Sequence, residues 1–302
     1  MKIAYEPRLL EEVVFQEARG SPPLWEEYRD AMEPLYELSG EKDSRFAQIH
    51  RDLFEKWGFG GRLQAVVDEF PELGEKVEEV FIFRAPSWRE ERGDITGDLK
   101  RLGVRVIPSR FFDPQGLKRF LRHELMHISD MLDTSFGYRN ESLGLSPGEE
   151  YTIISRYRVL WDIYIDGRLT ELGKETDRGK VERLQEFSRA FPFLSHPQKL
   201  SCFEGIWNGE KLTHDDFLFM AKEPSEVLAR GKEVPQEFQH LKIPGSPCPL
   251  CRFPAHVWGD LSSRGDGDGV MELIQADFPH WQQEEGLCER CLELYDLKVG
   301  VW

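Results

Sequence analysis

Asp113-Pro114-Gln115-Gly116-Leu117-Lys118-Arg119-Phe120-Leu121-Arg122-His123-Glu124-Leu125-Met126-His127-Ile128 is the stretch on which the reading of this chain turns. Asp113 followed by Pro114 has the form of a helix start, an Asp N-cap with Pro in the first turn. Leu117, Phe120, Leu121, Leu125, Ile128, Met131 and Leu132 then recur at three- and four-residue intervals. The spacing predicts a helix to about Leu132, with Phe136-Gly137-Tyr138 as a turn beyond it. Within it lies an HExxH pattern at His123, Glu124 and His127. Residues four apart share a helix face, so the two imidazoles can address one zinc ion. Glu124 then stands beside a metal-bound water as candidate general base, with the zinc as Lewis acid.

Upstream of this helix are two β-like runs, Val77 to Arg84 and Val104 to Pro108, the second leading through Phe111-Phe112 into Asp113. Between them Arg92-Gly93-Asp94-Ile95-Thr96-Gly97 is polar and turn-rich and reads as a loop. Downstream, a turn-prone segment from Asn140 to Pro147 precedes a long helix from about Glu149 to Leu172, closed by Gly173. Ile153, Ile154, Tyr157, Leu160, Trp161, Tyr164 and Ile165 make its main apolar face. Val159, Ile163 and Leu169 are apolar elsewhere on it, so it is expected to be largely buried. Asp162 and Asp166 lie on one stripe of it. Buried carboxylates need partners, and a metal with its histidines is one such partner.

The rest of the chain frames these two helices. Residues 1–75 read as helical, with Leu9-Leu10, Val13-Val14, Trp25, Tyr28, Met32, Phe46, Ile49 and Leu53 at helical spacing. Ser21-Pro22-Pro23 separates the first helix from the second, and Gly58-Phe59-Gly60-Gly61 closes the third. Between 174 and 240 the pattern is helical and polar, and Pro192 ends one helix. His50, His196, His214 and Cys202 lack ligand-like spacing and read as structural. Lys242 to Pro247 has the composition of a linker.

At the C-terminal end, Cys248-Pro249-Leu250-Cys251 and Cys288-Glu289-Arg290-Cys291 stand 36 residues apart. Each pair can aim two thiolates at one ion, and two pairs complete a tetrahedral four-cysteine site. Nothing nearby favours a redox dithiol or an iron–sulfur cluster. Such a site is closed, so catalysis belongs to the histidine metal. Gly265-Asp266-Gly267-Asp268-Gly269 reads as an exposed loop without the remaining ligands of a calcium-binding EF-hand.

Composition narrows the partners. The 302 residues are 40% hydrophobic and 31% charged, with no run long enough to span a membrane. The start, Met1-Lys2-Ile3-Ala4-Tyr5-Glu6, turns acidic at once without an apolar signal-peptide core, so a cytoplasmic location is expected. A formal charge of −16 argues against nucleic acid or an anionic membrane as the main partner. From Lys242 to Trp302 five Lys/Arg face ten Asp/Glu, which favours stabilisation of the module or docking of a protein over phosphate binding.

The HExxH helix, the strands before it and the later carboxylate-bearing helix together resemble the zincin metallopeptidases, over roughly residues 77–172. The nearest analogy is the gluzincin-like arrangement, whose third zinc ligand is acidic and lies on a later helix. The resemblance implies that His123 and His127 hold zinc and that Glu124 polarises the attacking water. It also implies an acidic third ligand. Asp166 is preferred for that place because Gly167 beside it allows close approach, with Asp162 as acceptor of an imidazole N–H. The reverse assignment stays open, and Glu149 or Glu150 is a weaker alternative. Asp130 and Asp133 are further candidates for the outer shell. Tyr138, Tyr157 and Arg168 are candidate oxyanion donors. The metzincin extension is absent, since Asp130 and Asp133 stand where it wants Gly and His.

The expected fold is therefore α+β, mainly helical with a small β-sheet. It comprises a helical region (1–75), a zincin-like domain with a helical extension (76–240) and a four-cysteine zinc-ribbon-like module (241–302). The expected activity is zinc-dependent hydrolysis of peptide bonds in a peptide or protein substrate, with one catalytic and one structural zinc. The alternatives are an inactive zinc-binding scaffold that docks a protein partner, and a zinc hydrolase of non-peptide amides.

Overall fold

The computed structural model describes residues 2–36, 42–140, 142–232, 246–263 and 267–299. The chain divides into two compact units. The first comprises Met1–Leu143, Ile165–Arg178 and Lys211–Asp215; the second comprises Gly144–Tyr164, Gly179–Glu210 and Asp216–Trp302.

The first unit is built on a four-stranded sheet of order β1-β2-β4-β3. Strands β1 (Lys2–Tyr5), β2 (Glu79–Arg84) and β4 (Arg101–Val106) are parallel, and β3 (Arg92–Ile95) runs antiparallel along the edge beside β4. Alternation on β2 and β4 buries Val80, Ile82, Leu102, Val104 and Val106, while Phe81 and Phe83 pack together on the other face, ring centroids 4.4 Å apart. Between β1 and β2 run α1 (Pro7–Gly20), α2 (Pro22–Tyr36), α3 (Lys42–Lys56), α4 (Phe59–Val67) and α5 (Pro71–Lys76). A 3₁₀ segment, Pro108–Phe112, delivers the chain into α6 (Pro114–Leu132). Leu117, Leu121, Leu125 and Ile128 of α6 join Leu9, Phe54, Phe59, Phe111 and the sheet residues in one core.

Three sequence expectations need correction here. Residues 1–75 are not wholly helical, because Lys2–Tyr5 adds a parallel edge strand to β2; four residues are too few to show a period. Arg92–Ile95 is a strand and not a loop. Gly and Asp are poor strand formers, but pairing with β4 overrides their propensity. Gly58 does close α3, with φ +81°, yet Phe59 at once opens α4.

Arg122, the residue before His123, anchors α6 from the side. It donates to both oxygens of Glu69 at 2.9 and 2.8 Å, and Lys174 adds a contact at 3.1 Å. The bond from Arg122, aided by Lys174, lowers the Glu69 carboxyl from its ordinary 4.5 to about 2. A depressed carboxylate contributes stability that is full above the unfolded value and is lost as pH falls through the folded one. Glu69→Gln is therefore expected to flatten the loss of stability between about pH 4.5 and 2, read by urea melts at stepped pH. An unchanged slope would show that Glu69 does not carry it.

In the second unit, residues 147–164 of α7 (Pro147–Glu171) accompany α8 (Lys180–Ala190), α9 (His196–Trp207) and residues 216–222 of α10 (His214–Lys222). Aromatic contacts hold them: Phe187 on Phe191 at 4.7 Å, Phe203 on Trp207 at 5.6 Å and Tyr164 on Phe217 at 5.5 Å. The cysteine-bearing segment has its own core. It contains β5 (Ser246–Pro247) and β6 (Pro254–Ala255) in an antiparallel pair, α11 (Gly267–Asp277) and α12 (Glu289–Val299). Gly267-Asp268-Gly269, expected within a loop, forms the first turn of α11; Gly265 and Asp266 lie outside the described residues. Residues 242–245 of the expected linker also lie outside them. Among the described residues no helix is long and apolar enough to cross a membrane.

Candidate metal centres

The first centre begins with the cap of α6. The Asp113 side chain accepts from the Gly116 amide at 2.9 Å, and Pro114 fixes the first turn, so the register seen in sequence is the register built. With Leu121, Leu125 and Ile128 in the core, α6 holds His123 and His127 one turn apart with their ring centroids 4.8 Å apart. His123 Nδ1 lies 2.8 Å from Asp166 Oδ1, and both residues are buried. An ionised carboxylate only accepts, so Nδ1 carries the proton and His123 Nε2 presents a lone pair. That nitrogen lies 3.2 Å from His127 Nε2. Two nitrogens bound tetrahedrally to one zinc at 2.0–2.1 Å would stand about 3.3 Å apart.

On α7, Asp162 precedes Asp166 by one turn. Asp166 stands behind His123, on the nitrogen pointing away from His127. The sequence order alone could not show this, because it does not say which side of the imidazole a carboxylate meets. Asp162 Oδ2 accepts from Arg183 Nη1 at 2.9 Å.

Glu124 points to the sheet edge. Its Oε2 accepts from the Gly93 amide in β3, and a Cβ on Gly93 would sit 3.2 Å from Glu124 Cβ and 3.3 Å from its Oε2. Glycine is needed here for close approach, with no unusual backbone angle invoked. Gly93→Ala is expected to displace the Glu124 carboxylate. A structure of the variant decides this; an unmoved side chain would show that the contact does not position Glu124.

Other candidates from the sequence have different surroundings. Arg168 Nη2 donates to both oxygens of Asp130, at 2.8 and 2.7 Å. The Tyr138 ring packs edge-on against His214, centroids 5.4 Å apart. Tyr157 packs against Trp161 at 5.6 Å and Phe217 at 6.2 Å. Asp133 accepts from the Ser135 amide and hydroxyl at 2.8 Å, closing the turn after α6. Glu149 accepts from the Ser146 hydroxyl and amide at the start of α7. Gly93 escaped the sequence reading, although a glycine inside a short polar run was its signal.

The second centre gathers Cys248, Cys251, Cys288 and Cys291, whose sulfurs lie within 4.8 Å of one another. Cys248 Sγ is 3.9 Å from Cys291 Sγ, and Cys251 Sγ is 3.8 Å from Cys288 Sγ. All four are free thiols. Four sulfurs placed tetrahedrally at 2.3 Å from a zinc would be about 3.8 Å apart. Amides of Cys288 and Cys291 point at the sulfurs of Cys248 and Cys288, at 3.3 and 3.4 Å. Burial pushes the Cys248 thiol up, but the amides of Cys251, Cys288 and Leu250 outweigh it and bring it down to about 7. Cys291 is driven upward by burial and by the neighbouring thiols. A divalent cation removes that mutual penalty, so the donor set fits a metal and is compatible with zinc. Cys202 is separate: burial raises its thiol to about 11.

Compared with known proteins, the chain matches no family model, no curated protein and no solved structure.

Proposed function

We propose that the chain is a zinc-dependent metallopeptidase of the zincin type, with a structural zinc in its C-terminal module. The observation that carries this reading is the convergence of His123 Nε2 and His127 Nε2 at 3.2 Å with Asp166 fixing the His123 tautomer from behind. His123 and His127, together with an acidic third ligand, would hold the catalytic zinc, which would supply Lewis acidity toward a peptide carbonyl and acidify water. Glu124 takes the proton of the attacking water and delivers it to the leaving nitrogen. The Gly93 amide holds one oxygen of that carboxylate, so the base is oriented before substrate arrives. A peptide suits the site because β3 is the sheet's edge strand, where an extended chain can add by backbone pairing. Four free thiols in one cluster suit a reducing compartment, and we place the protein in the cytoplasm.

Metal analysis and a mixed peptide library test the reading on wild type and His123→Ala. Two zinc ions per wild-type chain, one in the variant, and cleavage by the wild type alone are expected. Two zinc ions without cleavage of any peptide would leave a scaffold or a hydrolase of other amides. Zinc content unaltered by His123→Ala would remove the catalytic centre altogether.

A further inference from the structure

The sheet of the first unit has a second face, turned away from the core and from α6. Alternation along β2 sends Phe81 and Phe83 to this face, where both are half-buried and neither belongs to the core or packs against it. The register partners of Phe81 are Ala4 of β1 and Gly103 of β4, so only small residues flank it. A Cβ on Gly103 would lie 3.2 Å from Phe83 Cε2, so the Phe83 ring leans across that glycine. Two rings two residues apart on an open sheet, with small neighbours, make a surface on which planar groups can stack.

The charges on this face are set against the stability of the sheet itself. Arg92 of β3 and Arg105 of β4 are exposed and stand directly opposite each other in antiparallel register. Like charges so placed destabilise a strand pair. Among the described residues no carboxylate lies within ion-pair distance of either; Arg105 instead has its Cζ 5.7 Å from the Phe83 ring centroid. Arg101, four residues before Arg105 and about 13 Å from it along the strand, is a third exposed guanidinium on the same face. Against these stand Glu79, which meets Lys2 at 3.6 Å, and Asp94, which accepts from the Ile95 amide at 2.9 Å.

We propose that this face binds single-stranded nucleic acid, with Phe81 and Phe83 stacking on bases and Arg92, Arg101 and Arg105 meeting phosphates. A phosphate between Arg92 and Arg105 removes the repulsion that the bare strand pair carries. An acidic peptide would also satisfy the arginines, but it does not present a planar group at each step to two adjacent rings; a single strand does. The formal charge of −16 opposes a polyanion at long range. At physiological salt that field is screened beyond about 8 Å, so the groups on the face govern contact and the affinity is weak and salt-sensitive. Glu124 and the two histidines lie on the other side of the sheet, so the face can be occupied whether or not a metal is bound.

The test is fluorescence anisotropy of labelled oligo(dT) and oligo(U), each about 12 nucleotides long, titrated with the full chain. Both are expected to bind with a Kd of about 1–100 µM at low salt, and log K is expected to fall against log salt with a slope of about −2, as for three phosphates on a single strand. Phe83→Leu, which keeps an apolar side chain on the sheet but removes the planar ring, is expected to weaken binding about tenfold. Arg92→Gln is expected to weaken it about threefold to tenfold and to make the salt slope shallower by about 0.7. The same substitution relieves Arg105, so its urea midpoint is expected to equal or exceed that of wild type. Weaker binding at a held or raised midpoint distinguishes a lost ligand contact from a damaged sheet. No change of anisotropy with either strand up to about 500 µM chain overturns the proposal, and so does binding that both variants leave unaltered. A lowered midpoint in Arg92→Gln overturns it as well, since the arginine pair would then serve the fold. A Glu-rich peptide that binds through Arg92 while neither strand binds would overturn it in favour of an acidic protein partner.

Discussion

Glu124→Gln is expected to lower peptide turnover by about 10²- to 10⁴-fold, with zinc content unchanged from wild type. Glutamine keeps the size of the side chain and an oxygen able to accept from the Gly93 amide, so the contact between α6 and β3 survives. It cannot take up a proton. His123 and His127 stay in place because the core stripe of α6 and the Asp166 contact do not involve Glu124. Loss of rate with retention of both metals is therefore the signature of a general base, and a stopped assay beside metal analysis reads it. A variant that turns over at the wild-type rate would end the assignment. A variant that loses a metal ion would move Glu124 from proton transfer to metal retention. Gly93→Ala, which shifts the same carboxylate without removing it, is expected to fall between wild type and Glu124→Gln.

The parts of the fold that were legible in the sequence are those with a long period or a hard stop. Helix α6 carried an Asp-Pro start and a sustained apolar stripe, and α7 an extended apolar surface closed by Gly173, whose φ is +67°. The four cysteines were legible because paired spacing is itself the signal. What escaped depended on partners far away in sequence. Strand β1 is four residues long and exists because β2, more than seventy positions on, receives it. Strand β3 is Arg-Gly-Asp-Ile, poor strand material held by β4 and placed against Glu124. Asp162 and Asp166 were both singled out, but helix periodicity puts them on one stripe without saying which meets Nδ1 of His123. That distinction is a matter of a few ångströms across a helix pair.

Cys291→Ser is expected to remove one metal ion per chain and to melt the segment from Ser246 to Val299 while peptide turnover persists. The core of this segment is small: Val270, Ile274, Trp281, Leu287, Leu292 and Tyr295 pack directly around the cysteines. A core of this size rarely sustains a fold without a staple, and a structural zinc contributes about 10–16 kcal/mol in comparable small modules. Cys291 is buried in the first turn of α12, and the amide of Cys288, just before that helix, points at Cys248 Sγ at 3.3 Å, so a metal held by the four cysteines would tie both ends of the segment. Serine oxygen is a poor substitute for thiolate. Hydrogen exchange should show the amides of Gly259, Cys288 and Leu292 losing protection by about 10³-fold or more, equivalent to about 4 kcal/mol. Trp281, buried with its indole N–H on the Gly286 carbonyl at 2.9 Å, should shift its fluorescence to the red in step. Turnover is expected to persist because His123, Glu124, His127, Asp162 and Asp166 lie on α6 and α7, outside this segment. Unchanged protection in Cys291→Ser would show that the apolar core suffices and that the metal is not structural. Loss of turnover along with the segment would show that the module serves the reaction as well as its own folding.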